Sequence, residues 1–238
     1  ILKSVNSGDT AIINSHTLVS IEDITPLCKS ASKICKPNSV NTNYGFSHEK
    51  HTYKTTIDLS SWYSKGACQV LIGSGACCRN GAITTGAGGE DFWVYSMVDL
   101  CKWDRNSSPN FNATPQLQNA CNYPVYYNLA AGDLIDNDSL VYELIDPMQN
   151  WTKKTTWATG FSAQNPYSVF YPSGYNKSKG PDPYAYPPIG FYLNKTNGEI
   201  IFTPSDCSEI GPFAVKISEF HKDSASGNYN LVGFVTCD

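Results

Sequence analysis

The sequence predicts an all-β protein made of two consecutive β-sandwich modules that disulfide bonds stabilise. Short runs of β-branched and aromatic residues alternate with Gly, Pro and Asn clusters along the chain, as strands alternate with turns. Helical periodicity is almost absent, and its best instance, 58–65, is short. Nine cysteines in 238 residues are typical of a protein from an oxidising compartment.

The strand signals are spaced as in β-sandwiches. The strongest segments are 11–21, 51–59, 68–72, 92–100, 125–128, 139–145, 190–193, 200–203, 213–219 and 231–236. The polar stretch 103–118 has two prolines and no alternation, and we place a boundary there. This gives an N-terminal module over 1–108 and a C-terminal module over 109–238.

A tyrosine- and proline-rich stretch over 167–188 interrupts the C-terminal module. Proline cannot donate to a strand ladder, so we predict an irregular loop. Two interpretations are open. The loop packs on its own sandwich, or its tyrosines form a contact surface, since tyrosine offers a large area at low entropy cost.

The cysteines favour disulfides over zinc, because the C-x2–4-C pairs typical of zinc sites are absent. The predicted disulfide residues, with pairing open and one left unpaired, are Cys28, Cys35, Cys68, Cys77, Cys78, Cys101, Cys121, Cys207 and Cys237. Disulfides indicate an extracellular or cell-surface location. The odd cysteine is free, bonds to another chain, or has lost its partner.

Composition argues against two classes of partner. The net charge is −4 and Lys and Arg form no patch, which is unlike nucleic-acid-binding proteins. No apolar run reaches the roughly 18 residues of a membrane span. We therefore expect neither nucleic-acid binding nor membrane insertion.

The motifs that resemble catalytic sites have simpler explanations. Gly73-Ser74-Gly75 lacks the full serine-hydrolase elbow and is interpreted as a turn. Cys77 and Cys78 are adjacent and expected to form bridges rather than a nucleophile. Strand alternation would point Glu90 and Asp91 to opposite faces, which is unsuitable for paired acid catalysis. We predict that the chain is not an enzyme.

One segment predicts a cation site. Asp133, Asp136, Asn137 and Asp138 place four oxygen-bearing side chains within six residues, just before a strand. Ca²⁺ takes six to eight oxygen ligands from such loops. The position-twelve Glu of an EF-hand is missing, since Leu144 stands there. The alternative is an Asx-rich turn held by its own backbone hydrogen bonds.

Several motifs in order resemble a module of Bacteroidetes surface proteins. They are C-C-R-N-G-A-I-T over 77–84, N-S-S-P over 106–109, Y-N-L-A-A-G-D over 127–133, D-S-L-V-Y over 138–142, G-F-S-A-Q-N-P over 160–166, G-E-I-I-F-T-P over 198–204 and F-A-V-K-I-S-E-F over 213–220. The family occurs in gliding-motility-associated, type IX-secreted cell-surface proteins.

The resemblance implies tandem immunoglobulin- or cadherin-like β domains that serve adhesion or filament building without catalysis. It implies sister subunits or other surface modules as partners. The family's D-G-D is Asp136-Asn137-Asp138 here, and Cys207 is expected to pair with Cys101 or Cys237. The family's opening Y-R-D-C strand does not precede Ile1. Either that strand was lost, or a neighbouring subunit supplies it.

Two further expectations concern carbohydrate. Bacteroidetes attach O-glycans at D-S/T-x sites with an apolar third residue, which Thr10 and Ser224 fit; Ser139 fits too but is expected to be buried. The rival function is a carbohydrate-binding, lectin-like module. Its stacking platforms would come from Trp62, Trp93, Trp103, Trp151 and Trp157, although Trp93 alternates like a core residue.

Overall fold

The structure is a computed structural model that describes residues 1–24, 48–102, 105–113 and 119–238. It confirms the all-β prediction. The strands are β1 (Leu2–Ser4), β2 (Thr10–Ala11), β3 (Thr17–Asp23), β4 (Glu49–Lys54), β5 (Gln69–Ala76), β6 (Phe92–Asp99), β7 (Asn110–Phe111), β8 (Val125–Asn128), β9 (Ala131–Gly132), β10 (Ser139–Ile145), β11 (Tyr192–Leu193), β12 (Glu199–Phe202), β13 (Ala214–Lys222) and β14 (Tyr229–Cys237). The helical segments are α1 (Ser60–Ser64) and a 3₁₀ turn, Lys177–Lys179.

Half of the fourteen strands belong to one antiparallel sheet in the order β10-β13-β14-β6-β5-β1-β2. A three-stranded sheet, β11-β12-β8, and the ribbons β3-β4 and β7-β9 complete the described sheets. The predicted boundary at residue 108 falls between β6 and β7. Because β6 pairs with β14, strands from both sides of that boundary share the large sheet.

Two apolar cores lie along this sheet. The larger one joins strands of both sheets, as in a sandwich, and its buried members include Tyr142, Phe191, Ile200 and Ile217. The smaller core gathers Leu2, Ala67 and Val70, with Trp62 of α1 packed against it. Each half of the chain therefore has its own core, while the sheet between them is continuous.

Gly73-Ser74-Gly75 lies inside β5, so the predicted turn is wrong. The ladder continues through all three residues, with Gly73 opposite Tyr95 and Gly75 opposite Trp93. The glycines leave room for two indoles: a Cβ on Gly73 would overlap the Trp93 ring and lie 2.7 Å from a Trp151 ring carbon. Glycine here accommodates close packing within a strand.

Gly73→Ala is therefore expected to lower the free energy of unfolding by about 1–3 kcal/mol, the usual cost of overpacking. The matched control is Gly81→Ala, because a Cβ on Gly81 meets nothing within 4 Å. Urea denaturation of both variants measures the difference. Equal stability of the two variants would contradict the packing argument.

Three disulfides lie in the described residues: Cys68–Cys101, Cys77–Cys78 and Cys121–Cys207. The first ties the ends of the β5-β6 pair together. The third joins the segment before β8 to the segment after β12. The expected pairing of Cys207 with Cys101 or Cys237 is wrong, because Cys207 pairs with Cys121. Cys237 is free, and Cys28 and Cys35 lie outside the described residues.

The two long-range bonds should differ in their contribution to stability. The Cys121–Cys207 bond closes a loop between residues 86 apart in sequence, and the Cys68–Cys101 bond closes one between residues 33 apart. Replacing either pair with Ala releases that loop in the unfolded chain. Loop entropy predicts losses of about 4–5 and about 3–4 kcal/mol, respectively. Urea denaturation without reductant tests this order. The reverse order would show that strain or local packing outweighs loop entropy.

Candidate functional site

The predicted calcium residues lie in the turn between β9 and β10. Asp133 organises this turn: its carboxylate accepts hydrogen bonds from the backbone N–H groups of Ile135, Asp136 and Asp138 at 3.1–3.2 Å. Ser107 Oγ donates to Asp133 at 3.1 Å. Burial raises the pKa of Asp133, but these hydrogen bonds outweigh burial and lower it overall.

The other predicted ligands occupy different positions. Asp136 accepts hydrogen bonds from the backbone N–H and the hydroxyl of Ser107, the latter at 2.8 Å. Asn137 is exposed at a φ of +57°, which asparagine tolerates better than most residues. Asp138 is buried, with its side chain 2% exposed and one oxygen 2.7 Å from His221 Nδ1. The Asx-type turn is present, with Asp133 accepting its backbone hydrogen bonds.

The structure adds Glu219, which the sequence interpretation missed. Glu219 on β13 is fully buried, and its Oε2 accepts a hydrogen bond from Asn106 at 3.0 Å. Gly233 lies opposite it on β14, and a Cβ there would approach Oε2 to 2.6 Å. A signal was present in the sequence: Val215, Ile217 and Glu219 alternate along β13 and are all buried.

The pKa of Glu219 is raised from 4.5 to about 7. Burial is the largest cause, the neighbouring carboxylates of Asp133, Asp138 and Asp136 add to the rise, and the Asn106 hydrogen bond opposes it. We call Asp133, Asp136, Asp138 and Glu219 the acidic group.

Glu219 should lower the stability of the fold as the pH rises towards neutral. Its folded-state pKa is raised, so its contribution to stability is complete below pH 4.5 and is lost as the pH rises through about 7. The loss amounts to about 3 kcal/mol or less. Glu219→Gln should remove this part of the pH dependence from urea-unfolding curves.

Glu143→Gln is the control, since Glu143 is an exposed residue of β10 in the same sheet. That variant should keep the wild-type pH dependence. A Glu219→Gln variant with the full wild-type slope would show that another group titrates.

A second feature is the tip of the 167–188 loop, the segment 182–189, which we call the tyrosine tip. Tyr184 and Tyr186 are 90% and 91% exposed. Reciprocal backbone hydrogen bonds between Asp182 and Ile189, at 2.9 and 3.0 Å, close the base of the tip. The Asp182 carboxylate also accepts a hydrogen bond from Tyr184 N at 3.1 Å.

The tip is anchored in the larger core. Ile189 and Phe191 are buried, and Gly190 N donates to Phe170 O at 3.0 Å. Phe191 packs against Phe202 with ring centroids 5.0 Å apart. The irregular loop is confirmed: its base packs on the sandwich, and its tip faces solvent.

The four tryptophans in the described residues are buried or half-buried and so are not the exposed platforms of the lectin-like prediction. Trp93 is buried and packs edge-on against Trp151 at 4.9 Å. Trp62, Trp151 and Trp157 are only partly exposed, and Trp157 Nε1 donates to Asp146 at 2.9 Å. Trp103 lies outside the described residues. Most of the exposed aromatic side chains in the described part of the chain are tyrosines.

The predicted glycan acceptors Thr10 and Ser224 are both exposed. Ser139 is exposed as well, so its predicted burial is wrong. It stands at the start of β10, an edge strand of the large sheet, where its side chain faces solvent.

A cleft of about 690 Å³ lies beside the Cys121–Cys207 disulfide. Its polar groups already bind one another: Glu209 accepts two hydrogen bonds from Ser168 at 2.6 Å, and the Tyr167 hydroxyl donates to Gly211 O at 2.6 Å. Burial raises the pKa of Tyr167, which keeps its hydroxyl protonated. These groups serve the packing of the cleft wall.

One trio of metal-ligand side chains comes within 4.8 Å in the described ranges, namely Cys77, Cys78 and Asp91. Because the two cysteines are bonded to each other, they offer no thiolate to a metal. The trio is also fully at the surface. It is a poor metal site for both reasons.

Within the described part of the chain, no helix is long and apolar enough to cross a membrane. Comparison of the chain with family models, with curated proteins and with solved structures finds no match.

Proposed function

We propose that this chain is a non-catalytic, extracellular structural and adhesive module of a bacterial cell-surface protein or filament. The single observation that carries the proposal is the tyrosine tip, where two aromatic side chains stand almost wholly in water on a braced loop. Disulfides within the described residues support an oxidising location. The motif resemblance favours a surface protein that assembles with sister subunits or other modules.

Exposed tyrosine side chains favour adhesion because they offer a large contact area at a low cost in side-chain entropy. A tyrosine side chain buries about 150–250 Å² and has only two rotatable bonds, so it loses little freedom on contact. The hydrogen bonds at the base of the tip fix its backbone before any partner arrives. Exposed rings on a preorganised backbone are typical of residues that dominate contact energy.

A carbohydrate-binding module is the second candidate, and the same tip favours it. Tyrosine rings stack on sugar faces and their hydroxyls can donate to sugar oxygens. On this proposal, Tyr184 and Tyr186 serve as the stacking platforms that were predicted for the tryptophans. A glycan array with the intact chain distinguishes the two functions: strong, selective binding to one sugar class favours the lectin.

The test of adhesion replaces both rings of the tip. Tyr184→Ala with Tyr186→Ala should lower adsorption of the protein to methyl- and hydroxyl-terminated monolayers about tenfold or more, measured with a quartz microbalance. The melting temperature should stay unchanged, since both rings lie in solvent. Loss of adsorption together with loss of folding would not count as support.

The matched control is Tyr63→Ala with Tyr126→Ala, which removes two other exposed rings. That variant should adsorb like the wild type. Equal adsorption of all three proteins would contradict a role for the tip, and equal loss in both variants would indicate nonspecific stickiness.

A further inference from the structure

Several asparagines of the chain begin N-x-S/T triplets, the acceptor pattern for N-linked oligosaccharides on surface loops of secreted proteins. Sugar transfer also needs a side-chain amide that the enzyme can reach and that no other group holds. The structure separates the triplets by this criterion. Their asparagines are Asn106, Asn112, Asn137, Asn150, Asn176 and Asn194.

The triplet of Asn176 lies in the tyrosine- and proline-rich loop, and all three of its residues are exposed. The Asn176 Oδ1 accepts a hydrogen bond from the Ser178 backbone N–H at 3.0 Å and another from the Ser178 hydroxyl at 2.8 Å. The Tyr175 hydroxyl donates to Gly180 O at 2.9 Å and so closes this part of the loop. The hydroxyl of the third residue therefore contacts the amide that would receive the sugar.

The triplet of Asn194 has the same arrangement in the turn between β11 and β12. The Asn194 Oδ1 accepts hydrogen bonds from the Thr196 backbone N–H at 2.9 Å and from its hydroxyl at 2.8 Å. Asn194 is half-buried, and Lys195 O accepts a hydrogen bond from Tyr142 N at 2.9 Å. Asn176 is therefore the more accessible of the two asparagines.

The Asn106 and Asn150 triplets are less suitable. Asn106 donates through Nδ2 to the buried Glu219 at 3.0 Å, so a sugar on that nitrogen would break the bond and enter the interior. Asn150 forms a similar turn, with the hydroxyl of its third residue at 3.2 Å. Its middle residue, Trp151, packs against other aromatic rings, which holds that triplet against the sheet.

The last two triplets are also set apart. Asn137 is exposed, but its middle residue, Asp138, has a side chain that is only 2% exposed and lies 2.7 Å from His221 Nδ1. That triplet is therefore held against its strand. The third residue of the Asn112 triplet lies outside the described residues. By contrast, the middle residues of the Asn176 and Asn194 triplets are exposed lysines.

We propose that Asn176 and Asn194 are acceptor sites for an N-linked oligosaccharide carried on a lipid diphosphate. Transfer forms a bond from Asn Nδ2 to the anomeric carbon of the first sugar and breaks the bond from that carbon to the diphosphate oxygen. The lipid diphosphate leaves with the bonding electrons, and a base of the transferring enzyme takes the amide proton. The two donors on Oδ1 favour this step, because they stabilise the negative charge that develops there as Nδ2 loses its proton.

The two turns need no tertiary structure. Their hydrogen bonds join residues two apart in sequence, so they form in the unfolded chain as well as in the folded one. The bond from Asn106 to Glu219 spans 113 residues and belongs to the folded chain alone. The fold therefore withholds Asn106 and leaves the other two accessible. The inference does not depend on the adhesive function, because no residue of the tyrosine tip takes part.

The experiment incubates the folded 238-residue chain with an oligosaccharyltransferase that requires no residue outside the triplet and with a lipid-diphosphate-linked oligosaccharide. Glycopeptide mass spectrometry measures the occupancy of each triplet. Asn176 and Asn194 should carry sugar, Asn176 to the greater extent, and Asn106 should be at least tenfold less occupied than either. A reduced and alkylated chain should gain sugar at Asn106, because Glu219 no longer holds its amide.

Matched variants test the hydroxyl. Ser178→Ala should lower the occupancy of Asn176 tenfold or more and leave Asn194 unchanged, whereas Ser178→Thr keeps the hydroxyl and should preserve the occupancy. Melting temperatures check that both variants fold. A folded chain without sugar at Asn176 and Asn194 overturns the proposal if the enzyme modifies a free peptide with either triplet. Sugar at only one of them overturns the assignment of the other, and Asn106 modified as readily in the folded chain refutes the selection by the fold.

Discussion

The architecture depends on the placement of the last strand. β14 lies between β13 and β6, so it hydrogen-bonds a strand of the C-terminal half on one side and a strand of the N-terminal half on the other. Without β14, the large sheet would separate into β10-β13 and β6-β5-β1-β2. The two apolar cores can share one sheet only because this strand joins them.

Glu219 of the acidic group lies beside β14, where the two halves of the large sheet meet. Gly233 of β14 faces Glu219 on one side and Val98 of β6 on the other, so it marks the position where the halves meet. Its missing side chain provides the space for the Glu219 carboxylate. A buried, incompletely paired acid weakens the interior of a sheet. Such departures from ordinary core composition are expected at functional positions.

The sequence predicts the strands well, because period-two alternation needs only local information. The short pieces β1, β7 and β9 escape prediction, since two or three residues carry no periodic signal. The sequence wrongly predicts a turn at Gly73-Ser74-Gly75, because glycine usually marks a turn. Here the missing side chains leave space within a strand for the rings of Trp93 and Trp151. The pairing of Cys121 with Cys207 depends on sheet order, which spacing does not contain. Glu219 was visible as an inward-facing acid, but its neighbours in space come from other strands.

The tyrosine tip and Glu219 are connected through one strand. Val215 and Ile217 of β13 belong to the larger core together with Phe191, which follows the tyrosine tip. Glu219 continues the same buried row two residues further on. The tip keeps its shape through the backbone hydrogen bonds that close it. Its attachment to the sandwich depends on β13, because Phe191 packs in the same core as Val215 and Ile217.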